Sequence, residues 1–166
     1  MEMEEGYGKK KASRRVPGKE AMLVRMADLC ARSEQCAFDI RRKIAAKGLS
    51  SSDCEEILAE LQRRGFIDER RFAVSFARDK VKFSGWGRLK IRMSLVAKRI
   101  DRDIIEEALS EIEPKEYSSA LIRAARAKVR DLDLGNREDR ARLYRHLVSK
   151  GFEPTLITRL VNKITQ

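Results

Sequence analysis

CEEILAEL at residues 54–61 and IEEALSEI at residues 105–112 share one pattern of acidic and apolar positions, 51 residues apart. Short turns keep the same period, because Lys47-Gly48-Leu49, Lys98-Arg99-Ile100 and Lys150-Gly151-Phe152 lie 51 and 52 residues apart. Similar segments at a fixed spacing are typical of chains built from repeated structural units. The sequence therefore predicts a tandem repeat.

Apolar residues recur at three- and four-residue spacings along most of the chain, which indicates helices rather than strands. We expect an all-α protein of three three-helix repeats, 19–65, 66–113 and 114–166, forming an elongated, curved array. The predicted helices are 20–31, 34–47, 52–64, 68–82, 87–98, 102–112, 115–131, 137–150 and 154–164. Residues 1–18, rich in Lys, Arg and Gly, are predicted to form a flexible basic arm.

Residues at the predicted helix ends suit those places. Ser52 and Glu55 have the spacing of a capping box, Gly65 can stop a helix, and Asp68 can cap the next one. Pro154 suits the first position of the last helix. Helices this short need tertiary packing, so we expect these side chains to be buried: Leu58, Leu61, Phe72, Phe76, Met93, Val96, Leu109, Leu147 and Leu160.

Charge is concentrated in the middle of the chain. The net charge is +11, and residues 61–100 contain twelve basic against three acidic residues. An excess on this scale predicts an anionic partner. The alternative is a basic face that is merely solvated.

The segment 87–98 holds the most informative predicted helix. On a helical wheel, one face carries the apolar residues Leu89, Met93, Val96 and Ile100, which we expect to anchor the helix. A row of arginines lies beside that face: Arg88, Arg92 and Arg99. Guanidinium groups bind phosphates and carboxylates bidentately. The row is predicted either to contact a partner or to pair with the acidic segment 101–116.

The only tryptophan of the chain, Trp86, lies between two glycines and is flanked by Lys82 and Arg88. Such a residue can stack on a nucleobase or fill a pocket of a partner protein. It can also cover the top of its own helix pair, and the sequence leaves these alternatives open.

Residues for catalysis or metal binding are not found in any recognisable pattern. Cys30, Cys36 and Cys54 form no C-x-x-C pair, and His146 is the single histidine. No phosphate-binding loop, signal peptide or membrane span is recognisable. We expect a cytoplasmic protein without enzymatic activity, with no catalytic, cofactor or metal site.

A longer stretch resembles the RecX family. Residues 61–73, LQRRGFIDERRFA, are followed by Gly85-Trp86-Gly87, Lys98-Arg99-Ile100 and the helix ending in Glu107-Ala108-Leu109. The resemblance is dense over about 61–112 and looser over about 20–164. Two positions depart from the family pattern: Glu69 replaces an aspartate, and Arg99 replaces a glycine. If Arg99 adopts a positive φ, a side chain there costs about 1 kcal/mol.

The resemblance implies a regulator, and more specifically an inhibitor, of RecA-mediated recombination and DNA repair in the SOS response. Such a protein binds RecA filaments on single-stranded DNA and limits their growth, ATPase activity and strand exchange. We expect a monomer whose candidate contacts are Arg70, Arg71, Arg78, Lys82, Trp86, Arg88, Lys90, Arg92, Lys98 and Arg99. The alternatives are a helix-turn-helix DNA-binding protein that needs no RecA, or a purely structural adaptor.

Overall fold

The computed structural model describes residues 16–165, and within them the chain forms nine α-helices and no strands. They are α1 (Lys19–Arg32), α2 (Ala37–Ala45), α3 (Ser51–Arg63), α4 (Glu69–Ser84), α5 (Arg88–Ala97), α6 (Arg102–Ser110), α7 (Pro114–Val129), α8 (Arg137–Ser149) and α9 (Pro154–Ile164). The predicted all-helical class is confirmed. The predicted basic arm, 1–18, lies outside the described residues except for its last three. No helix in the described part has the length and apolar character needed to cross a membrane.

Most predicted helix ends are confirmed by their backbone geometry. The carboxylate of Asp68 accepts the N–H of Arg71 at 2.9 Å and caps α4. Gly65 follows α3 with a φ of 72°, and Pro154 opens α9. Local signals at these ends therefore determine where the helices begin and stop.

The predicted capping box at Ser52 is wrong. Helix α3 already begins at Ser51, so Ser52 lies inside its first turn. Ser50 is the cap, and its Oγ accepts the N–H of Asp53 at 3.1 Å. Three consecutive serines precede Asp53, and each is a good cap in isolation. Which one acts depends on where the preceding turn ends.

Buried apolar side chains form two clusters. The first lies within α1 to α3 and includes Met22, Ile40 and Leu61. The second runs through α4 to α9, and Cys36, at the start of α2, also belongs to it. Most of the predicted core residues are buried, and Phe76 and Leu160 are partly buried against the second cluster. The division into three repeats stays a prediction, because α4 to α9 share one core.

The predicted anchoring face of α5 is wrong. Met93 is 72% exposed, Val96 59% and Leu89 39%, whereas Ile91 and Leu95 are fully buried. This helix has apolar residues on two sides, so its own pattern does not decide which side is covered. Its contacts with α4 and α6 decide it. Of the predicted stripe, only Ile100, beyond the end of the helix, is buried.

The turn between α8 and α9 docks on the start of α5. The N–H groups of Gly87 and Leu89 donate to the carbonyls of Lys150 and Gly151 at 2.8 and 3.0 Å. A Cβ on Gly87 would collide with the backbone of Gly151 and Phe152. These glycines therefore allow two backbones to approach closely.

The turn between α5 and α6 contacts α2 through its side chains. Lys98 Nζ lies 2.5 Å from Asp39 Oδ2, and the Arg99 guanidinium lies 5.5 Å from the centroid of the Phe38 ring. Phe38 precedes Leu89 by the same 51 residues that separate the repeated segments. In both cases, the turn between the second and third helices of a predicted unit contacts the start of the second helix of the unit before it. This regularity fits the predicted repeat.

Candidate binding surface

The predicted contact residues lie on α4, on α5 and on the turns that follow these two helices. They do not form one uniform cationic face. The structure separates them into side chains held by intramolecular carboxylates or rings and side chains with no carboxylate at ion-pair distance. This distinction determines what the surface offers to a partner.

Arg88 is part of an internal junction between α5, α7 and α9. Its guanidinium lies 3.9 Å from the centroid of the Tyr117 ring and 3.4 Å from Glu153 Oε1. Its backbone N–H donates to the Tyr117 hydroxyl at 2.9 Å, and that hydroxyl donates to Glu153 at 2.5 Å. Burial, followed by the hydrogen bond to Glu153, raises the pKa of Tyr117. Arg88 therefore holds helices together.

Two other arginines pair with the acidic helix α6. Arg92 binds Glu106 bidentately, with Nε–Oε1 and Nη2–Oε2 distances of 2.8 and 2.9 Å. That hydrogen bonding lowers the pKa of Glu106. Arg70 forms an ion pair with Glu107. Of the arginine row, Arg92 therefore pairs with the acidic segment 101–116, as the intramolecular alternative predicted. Partly exposed ion pairs of this kind contribute little to stability.

Three further candidates connect the second predicted unit to the first. Arg71 Nε donates to Glu34 at 2.5 Å, Lys98 pairs with Asp39, and Arg99 stacks on Phe38. Arg99 has a φ of 60°, like the glycines at the corresponding turns, Gly48 and Gly151, with 85° and 86°. The α5–α6 turn therefore has the same left-handed backbone conformation as the other two turns, although arginine takes the place of glycine. Its arginine has an intramolecular contact.

Arg78, Lys82 and Lys90 remain. Within residues 16–165, none of them has a carboxylate within 4.0 Å. Arg78 and Lys82 lie exposed on α4, and Lys90 lies on α5. Their charges can be neutralised by an external anion without breaking an ion pair inside the described part of the chain.

Trp86 lies half-buried between two lysines. The Nζ atoms of Lys80 and Lys90 are 4.9 and 4.6 Å from the ring centroid, and the ring packs against the second cluster. Of the predicted alternatives, the structure therefore shows the one in which the indole covers its own helices. Both ammonium groups also keep positive charge at the ring.

The sequence reasoning missed Phe83. Its side chain is 75% exposed at the end of α4, and Lys82 Nζ lies 5.3 Å from its ring centroid. Arg123, on α7, donates to the Lys82 carbonyl at 3.2 Å and adds a further cation nearby. The signal was the run Lys82-Phe83-Ser84-Gly85-Trp86, where two aromatic residues stand beside one turn.

Several known proteins similar to this chain are regulatory RecX proteins. The regulatory protein RecX of Prosthecochloris aestuarii is 31% identical over 133 residues, which cover 79% of this chain and 85% of the relative. The chain belongs to the RecX family. The regulatory protein RecX of Legionella pneumophila (strain Corby) is 29% identical over 136 residues, 82% of this chain and 89% of the relative.

The family model that matches is described as "RecX, second three-helix domain" and covers residues 68–109. This match contains α4, α5 and nearly all of α6, and with them every predicted contact residue. The fold of a crystal structure titled as regulatory protein RecX is also similar. Its TM-score is 0.74 at 22% identity, over 87% of this chain and 71% of that chain. The candidate surface therefore lies in a part of the chain that is characteristic of the RecX family.

Proposed function

We propose that this protein regulates RecA by binding RecA filaments on single-stranded DNA, limiting filament growth, ATPase activity and strand exchange. Membership in a family of regulatory RecX proteins supports a regulatory role. The observation that carries the proposal is a pair of cation–ring contacts: Lys82 lies beside Phe83 and Lys90 beside Trp86, and neither lysine has a carboxylate within 4.0 Å among residues 16–165. This pair combines available cations with aromatic rings in the segment that the family model matches.

A nucleoprotein filament presents the chemistry that this surface fits. Phosphates and protein carboxylates both attract the lysine and arginine side chains. Exposed aromatic rings add contact area, either on a base or against a protein side chain. The protein acts by occupying a surface rather than by chemistry, as a monomer in the cytoplasm. No cofactor is part of the proposal.

The direct test is the ATPase activity of RecA on single-stranded DNA, measured with and without this protein. We expect the hydrolysis rate to fall as the protein is added. An unchanged rate at a molar excess over RecA would contradict the proposal.

Binding to naked DNA distinguishes the alternative, a helix-turn-helix protein that acts without RecA. The proposal predicts stronger binding to RecA-coated single strands than to naked duplex DNA at the same salt concentration. Tight duplex binding that weakens steeply with salt, without any effect on RecA, would instead support the alternative.

A further inference from the structure

Helix α5 presents an apolar stripe to solvent. Leu89, Met93 and Val96 are spaced by four and three residues, so they lie along one side of the helix. Met93 and Val96 are among the most exposed apolar side chains of the described residues. Single exposed apolar residues are common, but three along one side of a ten-residue helix form a continuous apolar row.

The length and shape of the stripe match a helix. From Leu89 to Val96, seven residue steps, α5 extends about 10 Å along its axis, which is nearly two helical turns. A helix lying on this row places its own apolar residues, at three- and four-residue spacing, between Leu89, Met93 and Val96. Met93 is flexible and suits an adaptable contact.

The charges around the stripe determine which helix fits. A cleft beside Val96 is lined by Arg92, Arg102, Ile105 and Glu106. Glu106 is already held by both nitrogens of Arg92. Neither Arg102 nor Lys90, which lies towards the opposite side of α5, has a carboxylate within 4.0 Å among residues 16–165. The border of the stripe is therefore net basic and attracts an acidic occupant.

We propose that the α5 stripe binds an amphipathic helix of a partner protein, with acidic side chains flanking its apolar face. Placing this helix on the RecA filament rests on the proposed function, whereas the docking chemistry does not. A second copy of this chain fits poorly, because a symmetric pairing of two stripes would bring their basic borders together. Nucleic acid could meet the basic border but would leave the apolar row uncovered, since that row offers nothing to phosphates.

The docking chemistry is tested with a fluorescent helical peptide that has leucines at three- and four-residue spacing and glutamates on both flanks. We expect fluorescence anisotropy to show binding to the wild-type protein, and the Val96→Asp variant to bind at least tenfold more weakly. Val24→Asp is the matched control, because Val24 is 60% exposed on α1 against 59% for Val96. A peptide with lysines in place of the glutamates should not bind.

The same variants are then compared as inhibitors of RecA ATPase, with Met93→Asp as a second change in the stripe. Circular dichroism melting curves confirm that each variant is folded. If the wild type binds the acidic peptide but does not inhibit RecA, the proposed function fails and the docking site stands. If Val96→Asp and Met93→Asp bind the peptide as the wild type does, or if the peptide does not bind at all, the docking site is overturned.

Discussion

Arg99 holds a backbone conformation that normally belongs to glycine. Its φ is 60°, and the left-handed region costs a residue with a Cβ about 1 kcal/mol. The contact with Phe38 offsets part of this cost. The arginine is therefore explained by packing between the first two predicted units, without an external partner.

Replacing Arg99 tests this balance. Arg99→Ala loses the ring contact and keeps the strained φ, whereas Arg99→Gly removes the strain. We expect the Gly variant to be more stable than the Ala variant by about 1 kcal/mol in urea unfolding. Arg64, the C-cap of α3 with a φ of −82°, is the control. There glycine should gain nothing over alanine, and the same gain at both positions would contradict the strain argument.

His146 is the only histidine and provides a clean pH probe. Burial, then Lys150 and Lys128, lower its pKa from the ordinary value of 6.5. The unfolded chain therefore takes up the proton first as pH falls. The stability contribution of the neutral imidazole is present above about pH 6.5 and is lost as pH falls through the lower folded-state pKa.

The His146→Gln variant should remove this part of the pH dependence. Between pH 7.5 and 5.5, we expect the free energy of unfolding to fall less in the variant than in the wild type. The loss at lower pH should persist in both, because Arg41 and Arg92 lower the pKa values of Glu55 and Glu106. Identical pH profiles above pH 5.5 would show that the His146 environment is not as described.

At the scale of elements, the docking of the α8–α9 turn on α5 depends on Gly87. A Cβ there would meet the backbone of Gly151, which cannot move aside as a flexible side chain can. Gly87→Ala is expected to destabilise the protein by about 2–3 kcal/mol. Urea unfolding measures the effect.

The Gly18→Ala variant is a control that separates steric packing from the loss of glycine at an N-cap. Gly18 and Gly87 are both N-caps in extended conformation, with φ values of −64° and −83°. A Cβ on Gly18 has no neighbour within 4 Å. Gly18→Ala should therefore change stability far less, and equal losses for the two variants would argue against close backbone approach as the cause.

The sequence predicted the helices better than their orientations. Boundaries followed from local signals such as Asp68, Gly65 and Pro154, which act within one turn of the chain. The buried side of α5 did not follow from local signals. Both the face with Ile91 and Leu95 and the face with Leu89, Met93 and Val96 are apolar enough to enter the core. Only the positions of α4 and α6 decide between these faces, and a helical wheel contains no such information.

The same limit applies to the candidate site. Its basic character and its place in residues 61–100 were visible in the sequence. The partners of Arg88 and Lys98, Glu153 and Asp39, lie 65 and 59 residues away along the chain. Pairing over such distances depends on tertiary structure. Phe83 stands in a visible run of basic and aromatic residues, but its 75% exposure could be read only from the structure.

For the whole molecule, the α5–α6 turn connects the two clusters through its contacts with α2, and α4 and α5 present basic and aromatic side chains at the protein surface. The central claim is that this surface binds the RecA filament. The most direct measurement compares three proteins as inhibitors of RecA ATPase on single-stranded DNA. They are the wild type, Arg78→Ala with Lys82→Ala, and Arg25→Ala with Lys43→Ala.

The control removes the same two charges from exposed positions on α1 and α2, so it matches any non-specific electrostatic effect. We predict that the α4 double variant needs about tenfold more protein for half-inhibition, a change of about 1.4 kcal/mol in binding free energy. The control should inhibit like the wild type. Equal inhibition by the α4 variant and the wild type would contradict the assignment of this surface.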